Sequence, residues 1–370
     1  MSTPPAVYLD TASSEPLHPA ARAVLEQAFD RGYADPRRLH RPARDARLLL
    51  DNAREATAEA LGVRADEVSF TPSGTHAVHL GVLGLLAGHA RHGDRLVASA
   101  VEHSSVMHAG QWHAARGGRF ETVPVDASGR VGDVPADATA VCLQSANHEV
   151  GTLQPVGEVA TATGAPVFVD ACASAGRLPL PDGWAAAAAS AHKWGGPPGV
   201  GLLLVRKGAR WRNPFPGDDR VDERSTGMEN VPAALAAAAA LQAVVADRDE
   251  VNARQSALVD RLRAGVARIA DTEVVGDPSR RLPHIVTFSF LYVDGEAIVT
   301  ELDRRGFSVA SGSACTASTL EPSHVLAAMG ALTHGNLRVS LARDTTGEDV
   351  DRLLAALPDV VARIRQDAGL

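Results

Sequence analysis

Residues 190–201 read SAHKWGGPPGVG, and the lysine in this stretch is one of only two in the chain, Lys193 and Lys207. Elsewhere arginine supplies the positive charge. Arginine replaces lysine as a charge, but not as an amine that loses its proton and attacks a carbonyl. A lysine kept between a histidine and a run of glycines and prolines is therefore either a chance surface residue or an amine in use. Its surroundings read as an α/β fold. The apolar runs RLVAS (95–99), TAVCLQS (139–145), PVFVDA (166–171) and VGLLLVRK (200–207) have strand character. They alternate with helical stretches such as 76–90 and 105–117. Such alternation predicts a mainly parallel sheet. From about residue 251 the pattern changes to a charged helix (252–269), a strand (284–290) and a Gly/Ser-rich loop between helices, which reads as a smaller α+β unit.

The bulk numbers agree with that division. A length of 370 residues exceeds one ordinary core, and 45% apolar content suffices to fill two. The net charge of -8 argues against binding nucleic acid or an anionic membrane surface. The three cysteines, Cys142, Cys172 and Cys315, are odd in number and show no metal-ligand spacing, so a reducing compartment and no metal site are expected. The start, MSTPPAVYLD, has no signal-peptide pattern, and the longest apolar tract, 231–246, is shorter than a usual membrane span. A cytoplasmic protein is the expectation.

Three elements near Lys193 have complementary chemistry. In SFTPSGTHAVHL (69–80), a strand runs through Pro, Ser, Gly and Thr into a helix, whose first N–H groups suit a phosphate; many strand-to-helix turns look alike. Asp170 ends a buried strand, where it either pairs with a cationic ring nitrogen or caps a helix. Ser190 and His192 stand beside Lys193 at another strand end. A phosphate cradle, an acid for a pyridinium and an amine for a carbonyl are the three things pyridoxal phosphate asks of a protein. His103 follows a further strand end, either over such a ring or as a core histidine.

With these residues in place, the chain resembles the cysteine desulfurases of the class V aminotransferase superfamily. The motifs are VYLDTASSEPLHPAA (7–21), TPSGTHAV (71–78), EHSSV (102–106), ANHEVGTLQPV (146–156), VDACAS (169–174), SAHKWGGPPGVGLL (190–203), SGSACTASTLEPSHVLAAMG (311–330) and LRVSLARDTT (337–346). The last two resemble the subgroup with a long cysteine loop, to which the iron–sulfur-cluster enzymes belong. The resemblance implies fold type I, with a large domain over residues 16–250 built on a mainly parallel, seven-stranded-type sheet. Residues 1–15 and 251–370 would form a small α+β domain carrying the cysteine loop.

By position, the resemblance makes Lys193 the cofactor lysine. It places Gly74, Thr75, Ser190 and His192 at the phosphate, Asp170 at the pyridine nitrogen and His103 on the ring. Arg338 would grip the substrate carboxylate as a bidentate fork. Cys315, among small and polar neighbours, would take sulfur from L-cysteine as a persulfide, releasing alanine, and pass it to an acceptor protein. His103 would shuttle the substrate thiol proton. Iron–sulfur assembly, tRNA thiolation and a specialised pathway are the open destinations for the sulfur. Family members are homodimers, and STGMENVP (225–232) matches the segment that crosses between subunits. The chain departs from the family where the usual asparagine is His148, the usual glutamine is Ala173 and a usual threonine is Met228. His148 is expected to have taken over a contact to the cofactor's phenolic oxygen. The other readings are a selenocysteine lyase or other C–S lyase on the same scaffold, and a non-catalytic scaffold protein.

Overall fold

The computed structural model describes residues 6–217, 222–311 and 322–369. In chain order the first elements are β1 (Val7–Tyr8), α1 (Pro19–Arg31), α2 (Arg41–Leu61), β2 (Val68–Thr71), α3 (Gly74–His89), β3 (Arg95–Ser99), α4 (Ser104–Ala114), β4 (Arg119–Val123) and β5 (Ala140–Cys142). Next come α5 (Val156–Thr163), β6 (Val167–Asp170), β7 (Trp184–Ser190), β8 (Gly201–Val205) and α6 (Val231–Ala246). The last part holds α7 (Arg248–Val266), β9 (Thr272–Val275), β10 (Ile285–Phe290), α8 (Gly295–Arg304), β11 (Phe307–Ser308), α9 (His324–Met329), β12 (Asn336–Ser340) and α10 (Gly347–Asp367).

Seven strands form one sheet in the order β2-β8-β7-β6-β5-β3-β4, parallel except that β8 runs against both its neighbours. Successive residues of a strand point to opposite faces, and here both faces are covered. Val97, Val141, Val169 and Ala187 join one core with α6, while Leu96, Cys142, Phe168 and Ala188 join another with α3 and α4. Burial on both sides explains why these strands read as continuous apolar runs. The alanine tract of 231–246 is α6, most of it buried. No single helix among the described residues is long and apolar enough to cross a membrane.

A separate core forms on the antiparallel sheet β12-β10-β9, closed by α7, α8 and α10. The amino-terminal strand belongs to it: β1 pairs with β11, and Val7 and Leu9 pack among its side chains. One strand ends earlier than its apolar pattern suggests. The run 139–145 is regular only over Ala140–Cys142. Its neighbour β3 stops at Ser99, so the N–H of Gln144 donates to Glu102 Oε1 at 2.8 Å instead of to a strand carbonyl.

Helix α3 lies close on the sheet because Gly81 faces the buried ring of Phe168. A Cβ at Gly81 would stand 2.2 Å from the Phe168 Cε2. Gly81→Ala gains about 1 kcal/mol of helix propensity, but the overpacking cost of about 1–3 kcal/mol acts on a ring fixed from all sides. Urea denaturation should show a net loss of stability; a midpoint unchanged or raised would show that the core yields there.

Candidate active site

The sheet delivers its functional side chains at the carboxyl ends of its parallel strands, where ligands meet such folds. Asp170 is the last residue of β6 and Ser190 the last of β7, with Lys193 one short 3-10 turn further on. His103 caps α4 just past β3, and Gly74 and Thr75 open α3 just past β2. Together with His148, His192 and Arg338 they line one cavity of about 290 Å³. Thus every sequence-predicted site residue among the described residues faces the same space. Cys315 lies outside the described residues.

One end of the cavity is built for an anion. The first N–H groups of a helix have no partner within it, and those of α3 open beside Ser190 and His192. The approach is close: a Cβ on Gly74 would meet the Ser190 Cβ at 2.7 Å and the Cys172 Sγ at 3.0 Å. Gly201, at the start of β8, is equally tight, with a Cβ falling 2.3 Å from the Ser73 backbone. Ser190 Oγ lies 3.0 Å from His192 Nδ1. A backbone cradle that a side chain would fill, a hydroxyl, a buried carboxylate and a half-buried primary amine match a phosphorylated pyridine aldehyde. The amine of Lys193 donates to the Ala12 carbonyl.

The histidines at the site are held neutral. Burial, and then neighbouring Lys193, depresses His192 to about 4. Burial lowers His103, with Asp170 opposing and Lys193 assisting. It pushes His148 well down, helped by His103, Arg338 and Lys193. The N–H of Ser105 donates to His103 Nδ1 at 3.1 Å, so the proton of the neutral ring sits on Nε2. The rings of His103 and His148 meet edge to face at 5.0 Å. His148 Nδ1 is buried with no hydrogen-bond partner among the described residues, and Ala173 lines the same cavity. Cys172 also lines it, but burial, and then Asp170, keeps its thiol well above the usual range. It is no ready nucleophile.

Arg338, on β12, enters from the second core and is only 3% exposed. It donates from Nη1 to the His148 carbonyl at 3.1 Å, and from Nη2 to Asp10 Oδ1 at 3.0 Å and Ser13 Oγ at 2.8 Å. Sequence reading missed Asp10, Ala12 and Ser13 as site residues. Their stretch, VYLDTASSEP, was visible as a motif, but nothing local shows that it reaches a partner more than 320 positions away.

The chain is similar to known proteins over nearly its whole length. The Aminotransferase class-V family pattern matches residues 7–353. The chain is 37% identical to the IscS-like cysteine desulfurase of Mycobacterium tuberculosis, covering 98% of each. It is 31% identical to the cysteine desulfurase IscS of Methanosarcina thermophila, covering 99% of this chain and 94% of the relative. Among solved structures, a NifS-like protein superposes with a TM-score of 0.88 at 26% identity, over 96% of this chain and 99% of the other.

The depressed His192 makes stability depend on pH. Its folded-state value of about 4 lies below the ordinary 6.5, so the unfolded chain binds the proton more readily. The stability it contributes is complete above the ordinary value and drains away as pH falls towards the folded one. Denaturation midpoints measured across that range should fall more gently in His192→Asn than in the parent. Identical slopes would contradict the assignment.

Proposed function

The chain belongs to the class V aminotransferase family and is a cysteine desulfurase; from that premise we propose that Lys193 carries pyridoxal phosphate in the cavity and that Cys315 receives the sulfur. The observation that carries this reading is the convergence of Lys193, Asp170, Ser190, His192 and the start of α3 on one cavity. Bound there, pyridoxal phosphate supplies an aldehyde that takes up an amine and a ring that withdraws electrons.

The chain's own residues do the rest. The first turn of α3, at Gly74 and Thr75, with Ser190 and His192, would hold the phosphate, Asp170 would pair with the ring nitrogen and His103 would contact the ring. His148 would offer its Nδ1, which has no partner among the described residues, to the phenolic oxygen, in the space left by the small Ala173. Arg338 holds the carboxylate of L-cysteine. The amine of Lys193 would move the Cα proton of the substrate. His103, neutral at rest, accepts and returns the proton of the substrate thiol. The Cys315 thiolate attacks the substrate sulfur; an S–S bond forms, the C–S bond breaks with its electron pair left on Cβ, Cβ takes up a proton and alanine leaves. The persulfide passes its sulfur to an acceptor protein, for iron–sulfur assembly, tRNA thiolation or a specialised pathway.

The protein acts as a homodimer in this reading. Phe29, Tyr33, Leu39 and Leu48, on α1, α2 and their connection, are exposed large apolar side chains, as is Met228; a second copy would cover them. We read a large domain over 16–250 and a small one over 1–15 and 251–370, a division that the two main cores support.

Cys315→Ser tests the nucleophile. It should retain the cofactor and its visible absorbance while alanine formation from L-cysteine falls by about 1,000-fold or more. Alanine formation at the parent rate would sink the assignment. His148→Ala should lose cofactor faster on dialysis than the parent, and His148→Asn should largely restore retention. Equal retention in His148→Ala would show that Nδ1 faces no group on the ring.

A further inference from the structure

Arg338 is not an unoccupied cation waiting for a substrate. Its charge is buried and already neutralised by Asp10, at 3.0 Å from Nη2. Ser13 completes the contact: its Oγ donates to Asp10 Oδ1 at 2.9 Å and accepts from Arg338 Nη2 at 2.8 Å. Arg338 and Ser13 line the cavity, and Asp10, bonded to both, does not. Arg338 Nε is buried with no acceptor among the described residues. A buried donor left unpaired is unfavourable, so Nε is the donor most in need of an incoming oxygen. A carboxylate that uses Nε must share Nη2 with Asp10 and Ser13.

We propose that Asp10 is the built-in counter-ion of the substrate-carboxylate site and sets how weakly that site holds its substrate. This rests on the reading of Arg338 given above. A second carboxylate arriving at a guanidinium that already has one meets a site of little net charge, and like charges repel strongly where water is scarce. Holding the substrate loosely is useful in catalysis, because binding shared equally by substrate and transition state does not raise the rate of the chemical step. Asp10 does not touch the reacting atoms in this account; it acts through Arg338 and is a positioning residue.

The backbone at Asp10 does not depend on its side chain. Its carbonyl accepts from Tyr8 Oη at 3.1 Å and from the Ser13 N–H at 3.1 Å. Asp10→Asn keeps an oxygen for Nη2 and Ser13 but removes the charge. In the cofactor-loaded protein, calorimetric titration with L-alanine should show affinity raised about tenfold, the ratio equivalent to about 1.4 kcal/mol. Titration with L-alaninamide, which lacks the carboxylate, should be unchanged. Asp10→Glu, which keeps the charge, should bind alanine no tighter than the parent. The KM for L-cysteine should fall in Asp10→Asn with a smaller change in kcat. Should the asparagine variant fail to fold, Asp10→Ser reads the same quantity. Alanine affinity unchanged or weakened in the uncharged variants, with Arg338→Lys still losing alanine, would overturn the proposal and leave the Arg338 reading intact. If Arg338→Lys binds alanine as the parent does, the reading of Arg338 fails and the proposal fails with it.

Discussion

The start of α3 touches the end of β7 only because residue 74 has no side chain. A single Cβ there would collide with both Ser190 and Cys172, and one on Gly201 would strike the backbone of Ser73. These two glycines let a helix amino terminus, a strand-end hydroxyl and the turn bearing Lys193 share one small space. The rest of the site is arranged around that closure. Asp170 arrives from the adjacent strand β6, and His103 from beyond β3. Arg338 arrives from the second core, and its register is fixed by the pairing of β12 with β10, where Arg338 stands opposite Thr287.

Charge in the cavity is rationed by burial. Cationic groups enter as Lys193 and Arg338, while three histidines are pushed towards neutrality by loss of water and by those cations. Glu102, fully buried and with one oxygen unpaired among the described residues, is raised to about 8 by the same loss of water, so it is largely protonated at neutral pH. Neutral imidazoles can both give and take a proton, and that capacity is what thiol chemistry beside a carbonyl cofactor demands. Burial also keeps Cys172 a thiol. A cysteine within the cavity therefore does not compete for the substrate sulfur.

Much of this was readable from the chain. Lys193 stood out because lysine is nearly absent elsewhere. Asp170, Ser190 and His192 stood out because apolar strands end on them, and the strands themselves are apolar throughout because helices cover both faces of the sheet. Asp10 and Ser13 could not be read in this way. Their importance lies in a contact with Arg338, and no local period or turn signal encodes a meeting of the two ends of the chain. The truncation of β5 was hidden for a similar reason: its apolar pattern continues, and β6 beside it continues, but β3 on its other side does not. His148 was visible only as a departure from a resemblance, and its buried Nδ1, without a partner among the described residues, became apparent only in three dimensions.

The chemistry of the site stands on one amine. Borohydride reduction of the cofactor-loaded protein, followed by proteolysis and mass mapping, reads that amine directly. The reduced pyridoxyl group should be found on the peptide containing Lys193 and nowhere else. A label on Lys207, or no covalent label in protein that retains the cofactor, would contradict the account.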